Sequence, residues 1–278
     1  AAAIYGSRAA GGVVIITTKR GRSGKPRIEI GQSIGVQMQL RKLGQRDWDD
    51  TKVKASFGAN GLAYYTSNNK KIYDYEKELY GNQGLMTHTR VSVSGGNDRT
   101  TYYVGFTYLD NEGIVERTGY RKSSFRLNLT QKVTNFIDVG VNANYVASEA
   151  NRGYFNNDNT STTLGVSFVS TPSWTNLYPD ANGNYPNNPF APSNFIQTRD
   201  LITNKERVNR TLLGGNATWK VFDNSKNDLK LIARGGIDYY TLNTIAIFPQ
   251  VLQFEKDGNG TNGASIYGTT ITKNGNYS

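Results

Sequence analysis

Few side chains in this sequence could carry acid–base or covalent chemistry. The 278 residues include one histidine, His88, and no cysteine, which excludes thiolate nucleophiles, thiolate metal sites and disulfides in any compartment. His88 lies in Leu-Met-Thr-His-Thr-Arg-Val-Ser-Val-Ser, on the same parity as Arg90 and Ser92 and opposite Val91 and Val93. It reads as a polar strand side chain, so neither a Ser/His/Asp triad nor a histidine metal site is expected. Asp47, Asp49 and Asp50 around Trp48 imitate a carboxylate pair beside a sugar-stacking ring. No partner at a set spacing supports glycoside hydrolysis, and the group reads as a loop or a helix start.

Two stretches imitate calcium loops. Asp180, Asn182 and Asn184 alternate as oxygen ligands do, but Tyr185 replaces the required glycine and Ala191 the closing glutamate. Asp257, Asn259 and Thr261 fail in the same way at Asn262 and Gly268, which leaves Asx-rich turns. Gly24-Lys25 looks superficially like the end of a phosphate loop, but Lys19 holds the first glycine position and Pro26 the Ser/Thr position. A linker fits better. No catalytic residue, cofactor or metal ligand is therefore expected. The candidate contact residues are aromatics in a long polar stretch, Trp174, Tyr178, Tyr185 and Phe190. They could stack on sugars or pack a partner, or they could knit the loop onto itself.

The elements that position these residues are strands. From Arg27 onward, Ile28, Ile30, Ile34, Val36 and Met38 share one parity while Glu29, Ser33, Gly35 and Gln37 share the other. The same period of two recurs around 89–94, 102–108, 125–130, 137–145, 213–221 and 229–239. One face of each strand is apolar and the other small, polar or charged. A soluble sandwich would turn the apolar face to a core, whereas a wide barrel would turn it to lipid.

The connections discriminate between these. Turns at 96–99, 134–135 and 223–228 are short and rich in Asn, Asp and Gly, while the links at about 42–86, 110–121 and 149–205 are long. Strict alternation of short and long links is the asymmetry of an outer-membrane barrel, with short periplasmic turns and long extracellular loops. A further loop is expected over 242–278. Tyr102, Tyr108, Phe125, Phe136, Tyr145, Trp219 and Tyr239 are expected near strand ends, as interfacial girdles require.

The formal charge of +10 comes from 32 basic against 22 acidic residues, scattered with no nucleic-acid module. Anionic lipid headgroups or loop solubility account for it better than nucleic acid. Residues 1–22 differ from the rest. An Ala-rich stretch and Gly11-Gly12 precede Val13-Val14-Ile15-Ile16, a run without alternation that suits a strand buried on both faces.

The block AAAIYGSRAAGGVVIITTKRG at 1–21 resembles the plug-ending signature of the SusC/RagA family of TonB-linked outer-membrane proteins. Tyr5, Gly6, Arg8, Gly11 and Gly12 carry that likeness, with Gly11 standing where the family pattern has Asn. The stretch 92–129 is similar to the family's early barrel, and 177–190 to its long extracellular segment.

The resemblance implies an all-β fold, the end of a plug domain at 1–22 followed at 23–278 by the first strands, about seven of about 22, of a transmembrane antiparallel barrel. It also implies a TonB-dependent receptor that imports oligosaccharides or peptides. The expected setting is the outer membrane of a Gram-negative, Bacteroidota-type bacterium. The implied partners are a SusD-like surface lipoprotein, outer-membrane lipid, and TonB itself through a segment not seen here. The chain, which begins without an initiator Met, is expected to be an internal piece. A surface or secreted β-sandwich that binds glycans or acts as an adhesin is the alternative.

Overall fold

In a computed structural model of the chain the described residues are 12, 19–155, 160–223, 227–256 and 268–277. They form one eight-stranded antiparallel sheet in which each strand pairs with its sequence neighbours. The strands are β1 (Gly24–Gln37), β2 (Gly84–Gly96), β3 (Thr100–Glu112), β4 (Gly119–Lys132), β5 (Ile137–Asn151), β6 (Thr203–Asp223), β7 (Asp228–Phe248) and β8 (Thr269–Tyr277). Short helices lie in the long connections: α1 (Asp50–Ser67), α2 (Tyr75–Tyr80), α3 (Leu164–Ser170), α4 (Phe195–Leu201) and α5 (Gln253–Lys256).

The alternation in the sequence becomes two unlike faces. Ile28, Val93, Val104, Leu127, Ala143, Leu213 and Ile237 stand in one rung across β1–β7, and Ile30, Val91, Phe106, Phe125, Tyr145, Thr211 and Tyr239 in the next. Between them, pointing the other way, run Glu29, Ser92, Gly105, Arg126, Asn144, Leu212 and Asp238. Nothing among the described residues covers the apolar face: Ile30 is 75% exposed and Ile237 64%. Water would penalise such a face heavily, and lipid would not. Residues 19–23 cross the polar face, where the Asn128 amide donates to the Lys19 carbonyl at 2.7 Å.

The short ends are closed by side chains. The Asn97 carboxamide oxygen accepts from the amides of Arg99 at 2.9 Å and Thr100 at 2.8 Å, and the Thr134 hydroxyl accepts from Phe136 at 3.2 Å and Ile137 at 3.0 Å. These Asx and ST turns hold the hairpins in register without a long loop.

At the opposite end the strands run further than the hydropathy pattern predicts. β3 and β4 continue until only 113–118 separates them, and β5 and β7 extend to Asn151 and Phe248. Tyr145 and Tyr239 consequently lie well inside their strands rather than at the ends. The reason is chemical: above the aromatics the outward positions become charged. Asp110, Arg121, Glu149 and Arg207 form one rung across β3–β6, with the Arg121 Nε donating to both Asp110 carboxylate oxygens at 3.1 Å and the Arg207 Nε to Glu149 at 2.6 Å. Ion pairs replace apolar contacts, so pairing continues where hydrophobic alternation stops. An eighth strand, β8, occupies part of the connection expected at 242–278. Its Thr-Thr-Ile-Thr-Lys-Asn-Gly-Asn-Tyr has too few apolar residues to signal a strand.

The hydrophobic core sits in the long connections instead of on the sheet. Tyr73, Tyr75, Leu79, Tyr154, Leu164, Leu177, Phe195, Leu252 and Phe254 are buried together with Phe248 at the top of β7, and a second cluster joins Val53, Tyr65 and Trp174. The chain thus folds a compact cap on the long-link end of a bare-faced wall. No helix among the described residues is long and apolar enough to cross a membrane.

Candidate functional site

The cap at the mouth of the wall is built from four connections, 38–83, 113–118, 152–202 and, after β7, 249–256, and specific side chains tie them together, as where the Gln253 side chain donates to the Asn188 and Ala191 carbonyls at 3.0 and 3.1 Å. Helix α1 starts where Asp49 accepts from the Lys52 amide at 2.8 Å, so the carboxylates around Trp48 begin a helix. At Gly58 the backbone takes φ 71, ψ −166 and the helix kinks. A side chain is strained in that conformation. The kink allows Phe57 before it and Tyr64 and Tyr65 after it to face one neighbour, Trp174, with ring centroids 5.3, 5.9 and 5.7 Å away. Trp48 at 6.3 Å and Phe190 at 5.0 Å complete the cage.

Helix α2 carries the polar half of the joint. The Tyr75 hydroxyl donates to the Thr175 carbonyl at 2.5 Å and accepts from the Leu177 amide at 3.0 Å. Burial pushes its pKa far up, so it stays a neutral donor. The Glu76 carboxylate accepts from the amides of Leu43 at 2.7 Å and Gly44 at 2.9 Å and from the Gln39 side chain at 2.5 Å. Burial works to raise this carboxyl, but those donors prevail and hold it below the usual range.

At the centre lies Arg199 of α4, 8% exposed. Its guanidinium donates to the Glu78 carboxylate at 2.8 Å and to Asp200 at 2.7 Å, and Glu116 of the 113–118 link is 3.7 Å away. Burial opposes the charge, but the two nearer carboxylates more than offset it and keep it firmly protonated. The carboxylates also receive the predicted aromatics. The Tyr178 hydroxyl donates to Glu78 at 3.1 Å and the Tyr185 hydroxyl to Asp200 at 2.9 Å. Burial first, and the neighbouring carboxylate second, push both phenols up to about 12.

The four sequence-predicted contact residues therefore fall on two separate joints. Trp174 and Phe190 close the aromatic cage against α1, with Trp174 fully buried, while Tyr178 and Tyr185 brace the Arg199 cluster. Asp180 accepts from the amides of Asn182 at 2.8 Å and Asn184 at 2.9 Å in a closed Asx turn, and no group of three His, Asp or Glu is placed to hold a metal ion among the described residues. Tyr5, Gly6, Arg8 and Gly11 lie outside the described residues; Gly12 is exposed and has φ 111. Sequence reasoning missed Tyr75, Glu76, Glu78 and Arg199, because single polar residues in irregular segments carry no period that would mark them as buried.

No protein-family model matches the sequence. The TonB-dependent receptor P3 of Formosa agariphila is 30% identical over 142 residues, which is 51% of this chain and 14% of that protein. The TonB-dependent receptor SusC of Bacteroides thetaiotaomicron is 28% identical over 150 residues, 52% of this chain and 15% of that protein. The chain thus spans about one seventh of the length of these curated relatives. Among solved structures, the RagAB peptide transporter superposes with a TM-score of 0.69 at 23% identity, over 90% of this chain and 32% of that one, and the RagAB peptide importer in its closed-closed state with a TM-score of 0.68. The superposition shows the fold, an antiparallel sheet that forms part of a β-barrel. In sequence and in fold the chain is thus similar to part of TonB-dependent receptors of the SusC/RagA type.

Proposed function

We propose that this chain supplies part of the wall and outer mouth of an outer-membrane importer for oligosaccharides or peptides, energised through TonB and covered by a SusD-like lipoprotein. The observation that carries the reading is the inverted burial: the sheet's apolar face is bare and the core lies in the loops. This is what a wall between lipid and an aqueous lumen requires. Residues 1–22 are assigned to the end of the plug that such a lumen encloses, and 23–278 to the barrel. The cap is assigned to the extracellular side, where Tyr178 and Tyr185 place a rigid rim for cargo or lid. Transport by gating needs no catalytic residue, and none is assigned.

The test is to delete the gene in its host, fractionate the membranes of the parent strain, and measure uptake of labelled oligosaccharides and peptides. The receptor should sediment with the outer membrane, require detergent for release, and be needed for uptake of at least one cargo class. A full-length product that is monodisperse in buffer without detergent would overturn the reading.

A further inference from the structure

The polar face of the wall carries an uncompensated basic recess. A concavity of ≈ 470 Å³ is lined by Arg90 of β2, Lys122 and Arg126 of β4, Lys19, Glu29 and Tyr103, with Ser92, Thr107 and Ser124 between them. Lys19 and Arg27 take up Glu29, at 3.3 and 3.1 Å. Arg90, Lys122 and Arg126 have no carboxylate in ion-pair reach among the described residues. A second concavity of ≈ 590 Å³ shares Lys19, Glu29 and Tyr103 and continues toward the short-turn end past Arg20, Arg22, Lys25 and Arg27. Eight cations and one carboxylate therefore form a track from mid-wall to the turn end. Like charges held this close repel unless an anion joins them.

The recess also has a flat aromatic floor. Tyr103 lies over Gly105, the next residue on the same face: a Cβ built at Gly105 would come 2.9 Å from the Tyr103 hydroxyl oxygen and 3.0 Å from its ring. Glycine at 105 is thus what lets the ring lie against the wall, with its other side turned to the recess. An aromatic plane flanked by hydroxyls and unpaired cations suits a sugar ring bearing negative groups. The segment leading into the wall cannot neutralise the track, since residues 1–22 contain four basic and no acidic residues.

We propose that Tyr103, Arg90, Lys122 and Arg126 form a lumenal subsite for an acidic oligosaccharide, whose uronate or sulfate groups are drawn along the basic track toward the turn end. This rests on the importer reading and narrows its cargo. Recognition of neutral sugars or of acidic peptides, or a seat for an acidic face of the plug, are the competing uses of the same residues.

The experiment uses the full-length receptor purified from outer membranes, with calorimetric binding of tetragalacturonate, a sulfated tetrasaccharide, maltotetraose and tetraglutamate. The two anionic sugars should bind at least about tenfold more tightly than maltotetraose and more tightly than tetraglutamate, with affinity falling as salt screens the track. Tyr103→Ala should weaken both anionic sugars, and Arg90→Gln with Arg126→Gln should remove the preference for them over maltotetraose. A greater loss for one anionic sugar than for the other identifies which group the cations hold, and either result supports the proposal. Equal binding of maltotetraose, tighter binding of tetraglutamate, or double-variant affinities unchanged while the plug becomes more sensitive to protease would overturn it. Uptake of another cargo by the same receptor would show that only the subsite has failed; a receptor outside the membrane would mean that the importer reading itself has failed.

Discussion

At the scale of single residues, the cap is held by buried polar groups whose ionisation is displaced. Tyr178 and Tyr185 have pKa values raised to about 12 by burial and a carboxylate neighbour. A raised folded pKa favours the neutral phenol, so their contribution is complete below the ordinary tyrosine value of about 10 and is lost as pH rises through about 12. Phenolate absorbance at alkaline pH should include a late fraction to which these two contribute alongside the more deeply buried Tyr75, with the cap loosening as they ionise. Tyr178→Phe and Tyr185→Phe should shrink that late fraction and leave the part that Tyr75 supplies. Glu76 behaves oppositely. Its lowered pKa stabilises the cap above the ordinary glutamate value and is lost as pH falls through the folded one. Glu76→Gln leaves the Leu43 and Gly44 amides facing a weaker acceptor and should cost about 1–3 kcal/mol, read as faster amide exchange in 38–49 with the strands unchanged.

Among elements, the Arg199 cluster joins α4 to α2 and to the 113–118 link. Removing one partner of a buried ion pair costs about 3–5 kcal/mol. Because Glu78 and Asp200 remain partly solvated, Arg199→Met should fall at the lower end. Limited proteolysis of the full-length receptor in detergent should then cut at 113–118 and within 152–202 while the sheet stays intact. The strands offer a sharper contrast. Leu129 and Thr130 are neighbours on β4 that face opposite ways, Leu129 in the apolar rung with Tyr102 and Val141. Leu129→Lys places a charge on the bare face near its middle and should cost about 2–4 kcal/mol, lowering the yield of heat-resistant receptor in outer membranes. Thr130→Lys should leave that yield unchanged.

For the whole molecule, the sheet was legible because its signal is repeated: seven strands alternate with the same period of two, and short turns alternate with long links. That pattern predicts a bare apolar face, which Ile28, Ile30 and Ile237 display. What was illegible follows from the same rule. Helix α1 has apolar residues spread around it, since Val53, Phe57, Tyr64 and Tyr65 reach Trp174 only through the Gly58 kink. β8 is nearly all polar, and the upper halves of β3–β6 carry charges where the pattern looks for apolar residues. Of the cap, sequence reasoning picked out the four aromatics but not what they bind to, because their partners are 100 residues away in the Tyr178–Glu78 pair and proximity of that kind has no local trace.

The Asp110–Arg121–Glu149–Arg207 rung has a mechanical consequence. On β5 the apolar positions from Ile137 to Tyr145 cover about 27 Å along the strand at about 3.4 Å per residue. A tilt of about 40° reduces this to about 21 Å of hydrocarbon thickness, near the usual apolar band of an outer-membrane barrel. Glu149 stands two rungs beyond Tyr145, and four in-register charges cannot sink into hydrocarbon. They act as a waterline. A bilayer thicker than the wall must thin around it instead of climbing the strands, so the cap beyond the rung is kept clear of hydrocarbon whatever the composition of the leaflet.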